Sequence, residues 1–134
     1  MPLTARTPLR IARPTADLAA AERFWVAGLG LAELWRHRGT GAVGDHSLLM
    51  AGLPGAAWHL ELVHDPEQAA AARPGPEDLL VLYLGEPAPA ELLARLTEHG
   101  GTVVPARNPY WDAWGTTVRD PDGHLLVLSS RDWG

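Results

Sequence analysis

Apolar positions follow two rhythms along this chain, one helical and one alternating. Leu9-Arg10-Ile11-Ala12 reads as a short strand stopped by Pro14. Asp17 then stands where a helix cap belongs, and Leu18, Ala21, Phe24, Trp25 and Leu29 keep helical spacing behind it until Gly28 and Gly30 end the run. Leu31 to Trp35 predicts a strand and Arg36 to Gly41 a polar turn containing His37. Ala42 to Leu53 predicts a third strand, broken at Pro54-Gly55, and Ala57 to His64 a fourth. Alternation on that fourth strand puts His59, Glu61 and Val63 on one face and Trp58, Leu60, Leu62 and His64 on the other.

The same order recurs downstream. Asp65 to Glu77 holds four consecutive alanines, three prolines and a glycine, and predicts a linker with at most a helical turn at the alanines. Leu79 to Leu84 is a continuous apolar run, the pattern of a strand buried on both faces. A helix begins near Pro89, carries Leu92, Leu93, Leu96 and His99, and ends at Gly100-Gly101. Thr102-Val103-Val104 predicts a strand closed by Pro105, and Ala106 to Asp112 a loop. Then come two Val-, Thr- and Leu-rich runs joined by Asp120-Pro121-Asp122-Gly123, where proline presets one turn position and glycine accepts positive φ: a hairpin ending in His124 to Leu128. Each half is therefore strand, glycine-ended helix and three strands, with Gly30 and Gly100 in register. The expected fold is α+β: two tandem βαβββ modules (1–64 and 78–134, with 65–77 between) forming a curved half-barrel sheet around a central cavity.

Composition narrows the function. The net charge of −5 gives no basic footprint for nucleic acid or an anionic membrane surface. No apolar run approaches the ~20 residues of a bilayer span and the first ten residues carry no secretory core, so a cytoplasmic protein is expected. Without cysteine there are no disulfides, thiolate metal sites or cysteine nucleophiles. Six tryptophans against one phenylalanine suit stacking on a flat ligand as well as core filling. Trp25 and Trp58 read as core, while Trp133, the second residue from the end, suits a pocket edge or a dimer contact.

Asp17-Leu18, Phe24-Trp25 and Gly28-Leu29-Gly30-Leu31 in the first module, with Asp120-Pro121-Asp122-Gly123-His124 and Leu126-Val127-Leu128 in the second, resemble the vicinal oxygen chelate superfamily of glyoxalases, bleomycin-resistance proteins and dioxygenases. The resemblance covers nearly the whole chain and points to small stand-alone bacterial members. It implies four metal-ligand positions, on the first and last strand of each module. Here they fall on Arg10, on Glu61, within Leu79 to Val81, and on Val127. Arginine offers no lone pair and aliphatic side chains offer no donor, so one ligand of four remains and no metal or other cofactor is expected.

The resemblance then implies a metal-free small-molecule binding protein, a homodimer of the bleomycin-resistance type that sequesters a flat compound, with cations favoured by Glu61 and the acidic net charge. Candidate ligand-binding residues are Arg10, Trp35, His46, His59, Glu61, Tyr110, Trp111, Trp114 and Val127, with Val127 on a cavity wall. One alternative is a metal-independent isomerase, epimerase or cyclase using Glu61 and His59 as acid and base, with Arg10 orienting the substrate. Another is a metal-dependent lyase or dioxygenase with a non-standard ligand set built on His59, Glu61 and His46. Arg10 and Glu61 can equally form a structural ion pair where relatives hold a metal. His37, His64, His99 and His124 read as local turn or helix-end residues.

Overall fold

The computed structural model describes residues 2–133. The first module is β1 (Leu9–Thr15), α1 (Leu18–Glu22) continued by a π-helical stretch (Arg23–Gly28), β2 (Ala32–His37), β3 (Leu48–Gly52) and β4 (Trp58–His64). After α2 (Pro66–Ala71) the second module gives β5 (Leu79–Tyr83), α3 (Ala90–Glu98), β6 (Thr102–Val104), α4 (Pro109–Trp114), β7 (Gly115–Arg119) and β8 (Leu125–Ser129). The strands form two open four-stranded sheets, ordered β1-β4-β3-β2 and β5-β8-β7-β6. In each, the first strand runs parallel to the last and the other pairings are antiparallel. This is the tandem βαβββ order that the repeat predicts. Gly30 and Gly100 end the two helices in the same left-handed conformation, at φ +97 and +96.

Several boundaries differ from the sequence pattern for local reasons. β1 runs through Pro14 because it is an edge strand, where a missing N–H costs no ladder bond. β5 is an edge strand too, so its residues are half-buried or exposed rather than enclosed on both faces. The third strand begins only at Leu48, since Gly41 and Gly44 turn the preceding backbone at positive φ and the Asp45 carboxylate ties it back to Thr40. Asp65 and Asn108 each cap a short helix whose first residue is proline, so α2 occupies the expected linker and α4 most of the expected loop.

The two modules share one core. Leu49, Ala51, Leu60 and Leu62 from the first sheet join Val118, Leu126 and Leu128 from the second around Phe24, Trp25 and Leu96. The π-helical stretch is a wider turn (the Leu29 N–H reaches back to the Phe24 carbonyl at 2.8 Å), and its consecutive Phe24 and Trp25 are both fully buried. Phe24 reaches the second module: a Cβ placed on Gly101 would stand 2.8 Å from the Phe24 ring, from Val118 Cγ1 and from the Leu96 carbonyl. The Trp25 indole donates to Asp120 Oδ2 at 3.3 Å, and the Arg95 guanidinium donates to the Gly28 carbonyl at 2.8 Å. A Gly101→Ala variant should therefore lose about 1–3 kcal/mol of stability by overpacking, measured by urea denaturation; an unchanged midpoint would mean that the junction has slack.

Candidate functional site

Strand register decides which side chains meet. Arg10 of β1 lies beside His59 of β4, Ala12 beside Glu61, and on the other side of β4 Gly52 and Met50 of β3 lie beside His59 and Glu61. Leu60 and Leu62, on the opposite face, are in the core. Arg10, His59, Glu61 and Met50 thus share the open face of the first sheet. Arg10 Nε donates to His59 Nε2 at 3.0 Å, Nη1 pairs with Glu61 Oε2 at 3.4 Å, and Nη2 approaches Met50 Sδ at 3.6 Å. Because His59 accepts at Nε2, its neutral ring carries the proton on Nδ1. Gly52 leaves room for the group, since a Cβ there would meet the His59 Cβ and Leu34 Cδ1 at 3.1 Å.

Trp35 reaches the same face through an irregularity in β2. Glu33 lies opposite Ala51 on the core side, and the register then shifts so that Trp35 lies opposite Met50 and His37 opposite Leu48. Arg36, back on the helix side, bonds both Glu33 and Glu22 of α1, which holds the arrangement. Trp35 remains 53% exposed and stacks on the His37 ring at 6.0 Å with 7° between planes. His37 is anchored by Asp45 at 2.8 Å. That hydrogen bond, with those from Thr40, holds the Asp45 carboxyl well below the usual carboxylate range.

The structure brings Arg10, Trp35, His59 and Glu61 onto one face and separates them from the other candidates. His46 lies not on a strand but in the turn before β3, with Nε2 3.8 Å from Asp65 Oδ2. Val127 has no exposed surface: it sits in register between Val81 and Thr117 and cannot be a cavity wall here. Tyr110, Trp111 and Trp114 lie on α4, where Tyr110 and Trp111 meet edge to face at 5.0 Å. Arg131 gathers two of them, with its guanidinium 4.8 Å above the Trp114 ring and Nη1 3.1 Å from the Tyr110 hydroxyl. Tyr83 and Trp133 complete a cleft of about 180 Å³ beside Arg131. Among the described residues, no hydrogen bond, ion pair or ring contact joins this group to Arg10, Trp35, His59 or Glu61.

Sequence reasoning missed Met50, His37, Tyr83 and Arg131. His37 was within reach, two residues beyond Trp35 on an alternating strand; Arg131 follows β8 in a stretch without periodicity and gives no signal. The positions that the resemblance assigns to metal ligands do not suit a metal: Glu61 is paired with a guanidinium, and Val81 lies directly beside Val127. Among the described residues no three His, Cys, Asp or Glu side chains are grouped to hold an ion.

The Arg10 side chain is 48% exposed and that of Glu61 16% exposed, so water screens their attraction. Glu61→Gln should lower stability by no more than about 1 kcal/mol in urea denaturation. A loss several times larger would make the pair a structural keystone rather than part of a surface for ligands.

The chain matches the models of the YycE-like N-terminal domain over residues 9–63 and the YycE-like C-terminal domain over residues 77–130. It is 39% identical over 126 residues to the uncharacterized protein YycE of Bacillus subtilis, covering 90% of this chain and 85% of that one. The crystal structure of a YycE protein of unknown function from Bacillus subtilis superposes with a TM-score of 0.76 at 32% identity, covering 95% of this chain and 91% of the other. TnmS3, an antibiotic binding protein from Streptomyces sp. CB03234, superposes with a TM-score of 0.63 at 26% identity, covering 98% and 99%. No described helix is long and apolar enough to cross a membrane.

Proposed function

We propose that this chain, which belongs to the YycE-like family of the vicinal oxygen chelate superfamily, is a binding protein that holds a flat small molecule against the open face of its first sheet. The observation that carries the reading is Trp35. It is a large aromatic side chain held half-exposed by a parallel stack on His37, next in register to Met50 and the Arg10 group. A planar compound laid on that indole buries apolar surface at little conformational cost, because the ring is already fixed. The likeness to an antibiotic binding protein supports the same class of ligand.

The charge arrangement refines the ligand. Arg10 already occupies the place that a cation would take against Glu61. A neutral compound with oxygen acceptors fits better, since the guanidinium has N–H donors to offer a carbonyl or phenol oxygen. The acid–base alternative draws less support, because the same guanidinium engages both His59 Nε2 and Glu61.

Binding is tested by titrating a panel of planar aromatic natural products and following tryptophan fluorescence. Trp35→Ala should weaken the best binder several-fold to tens-fold, as expected for losing a stack of about 0.5–1.5 kcal/mol plus buried area. Unchanged affinity in that variant, or Glu61-dependent consumption of the compound, would sink the reading.

A homodimer is the assembly that fits. β1 and β5 each leave one backbone edge unpaired, and the half-exposed Tyr83, Tyr110 and Trp114 lie in the module that does not carry Trp35. Sedimentation at micromolar concentration should give twice the 14.4 kDa chain mass; a single monomer species would remove the dimer.

A further inference from the structure

We propose that the place where the β7–β8 turn meets the start of the first helix is a proton-operated latch between the modules. In weakly acidic solution His124 takes up a proton and the turn lets go of the first module.

The latch is built from hydrogen bonds that cross between modules. Asp120 Oδ1 accepts from the backbone N–H groups of Asp122 and His124, at 2.9 and 2.8 Å, which fixes the turn. Asp120 Oδ2 is left to accept from the indole N–H of Trp25 at 3.3 Å. Asp122 Oδ1 accepts from the backbone N–H of Ala16 at 3.0 Å. The turn of the second module is thereby fastened to both ends of the link between β1 and the shared core. Asp120 is buried, and Trp25 has no exposed surface at all.

His124 lies inside this arrangement with its Nε2 buried and without a hydrogen-bond partner, and Nη1 of Arg13 is buried and unpartnered in the same way. The charged groups acting on His124 come from every side. Arg13 of β1 repels a proton on the ring, while Asp120 and Asp122 in the turn and Asp78 just ahead of β5 attract one. A second proton on the ring would leave a buried donor with no acceptor next to a guanidinium whose own donor is unmet. The closed arrangement accommodates the neutral ring; the charged ring needs an acceptor for its buried Nε2, and none is in place while the turn is fastened to the first module.

The direction of the effect follows from the same contacts. Burial first, and Arg13 second, hold the His124 ring below its ordinary value of 6.5, against the pull of the three carboxylates. Above that value the ring is neutral folded or unfolded, and pH has no effect through it. Below it the unfolded chain binds the proton first, so stability falls as pH falls. Burial raises Asp120 above its ordinary 3.8, and that carboxyl contributes with the opposite sign at lower pH. The closed latch therefore begins to lose stability as pH falls below 6.5.

The test follows the Trp25 indole N–H signal by NMR and the urea midpoint in parallel, from about pH 7.5 to about pH 5. In the wild type the indole signal should shift, and the folded-to-unfolded ratio should drop by about threefold or more across that range. His124→Asn should abolish both responses. Arg13→Leu, which removes the neighbouring cation, should move the midpoint of the indole response upward and keep the experiment decisive if the asparagine variant fails to fold. An indole signal that does not respond in the wild type, an equal response in His124→Asn, or an unmoved midpoint in Arg13→Leu overturns the proposal.

Discussion

Each four-stranded sheet is apolar on one face, and a single short helix is too small to cover it. The nine residues of α3 expose most of their length and bury only Leu96, while the first helix buries Ala21, Phe24, Trp25 and Gly28. Neither module closes its core alone, so each lends a buried helical side chain to the junction: Phe24 packs toward Gly101 and Val118, and Leu96 toward Gly28. One contiguous core results, assembled from the helix side of both sheets. Everything else follows from spending those two faces on each other. The opposite face of the first sheet is left with half-buried and exposed residues, and that is where the polar and aromatic candidates collect.

That face is governed by Arg10. A guanidinium stands where the resemblance implies a metal ligand, and it satisfies a carboxylate, an imidazole nitrogen and a thioether together. The result is a surface that presents directional N–H donors without a net local charge. A neighbouring indole adds apolar area, so the face favours shape and hydrogen-bond acceptance over ion pairing.

The repeat was the most legible part of the sequence, because glycine at a helix end and alternation within a strand are both local requirements. Register was not legible. His59 and Glu61 are placed on one face by alternation alone, yet their meeting with Arg10 depends on parallel pairing across 49 and 51 residues. His46 and Val127 misled for opposite reasons: one sits in a glycine-turned loop that composition disguises as strand, the other is enclosed by its own sheet neighbours. The Asp-Pro and Asn-Pro pairs that start α2 and α4 were readable as helix caps, but the irregular composition around them argued for loops.

The extra residue in β2 bears on how this surface can change over generations. Glu33 and Trp35 would point the same way in a regular strand; the register shift between them sends the indole to the opposite side. The side on which the tryptophan emerges is thus set by counting, not by residue type. An insertion or deletion at that point exchanges the inward and outward sets of the strand without altering a single chemical group elsewhere. Relatives that align well by residue identity across β2 but differ there by one position would present different faces, and their ligands would diverge faster than their sequences.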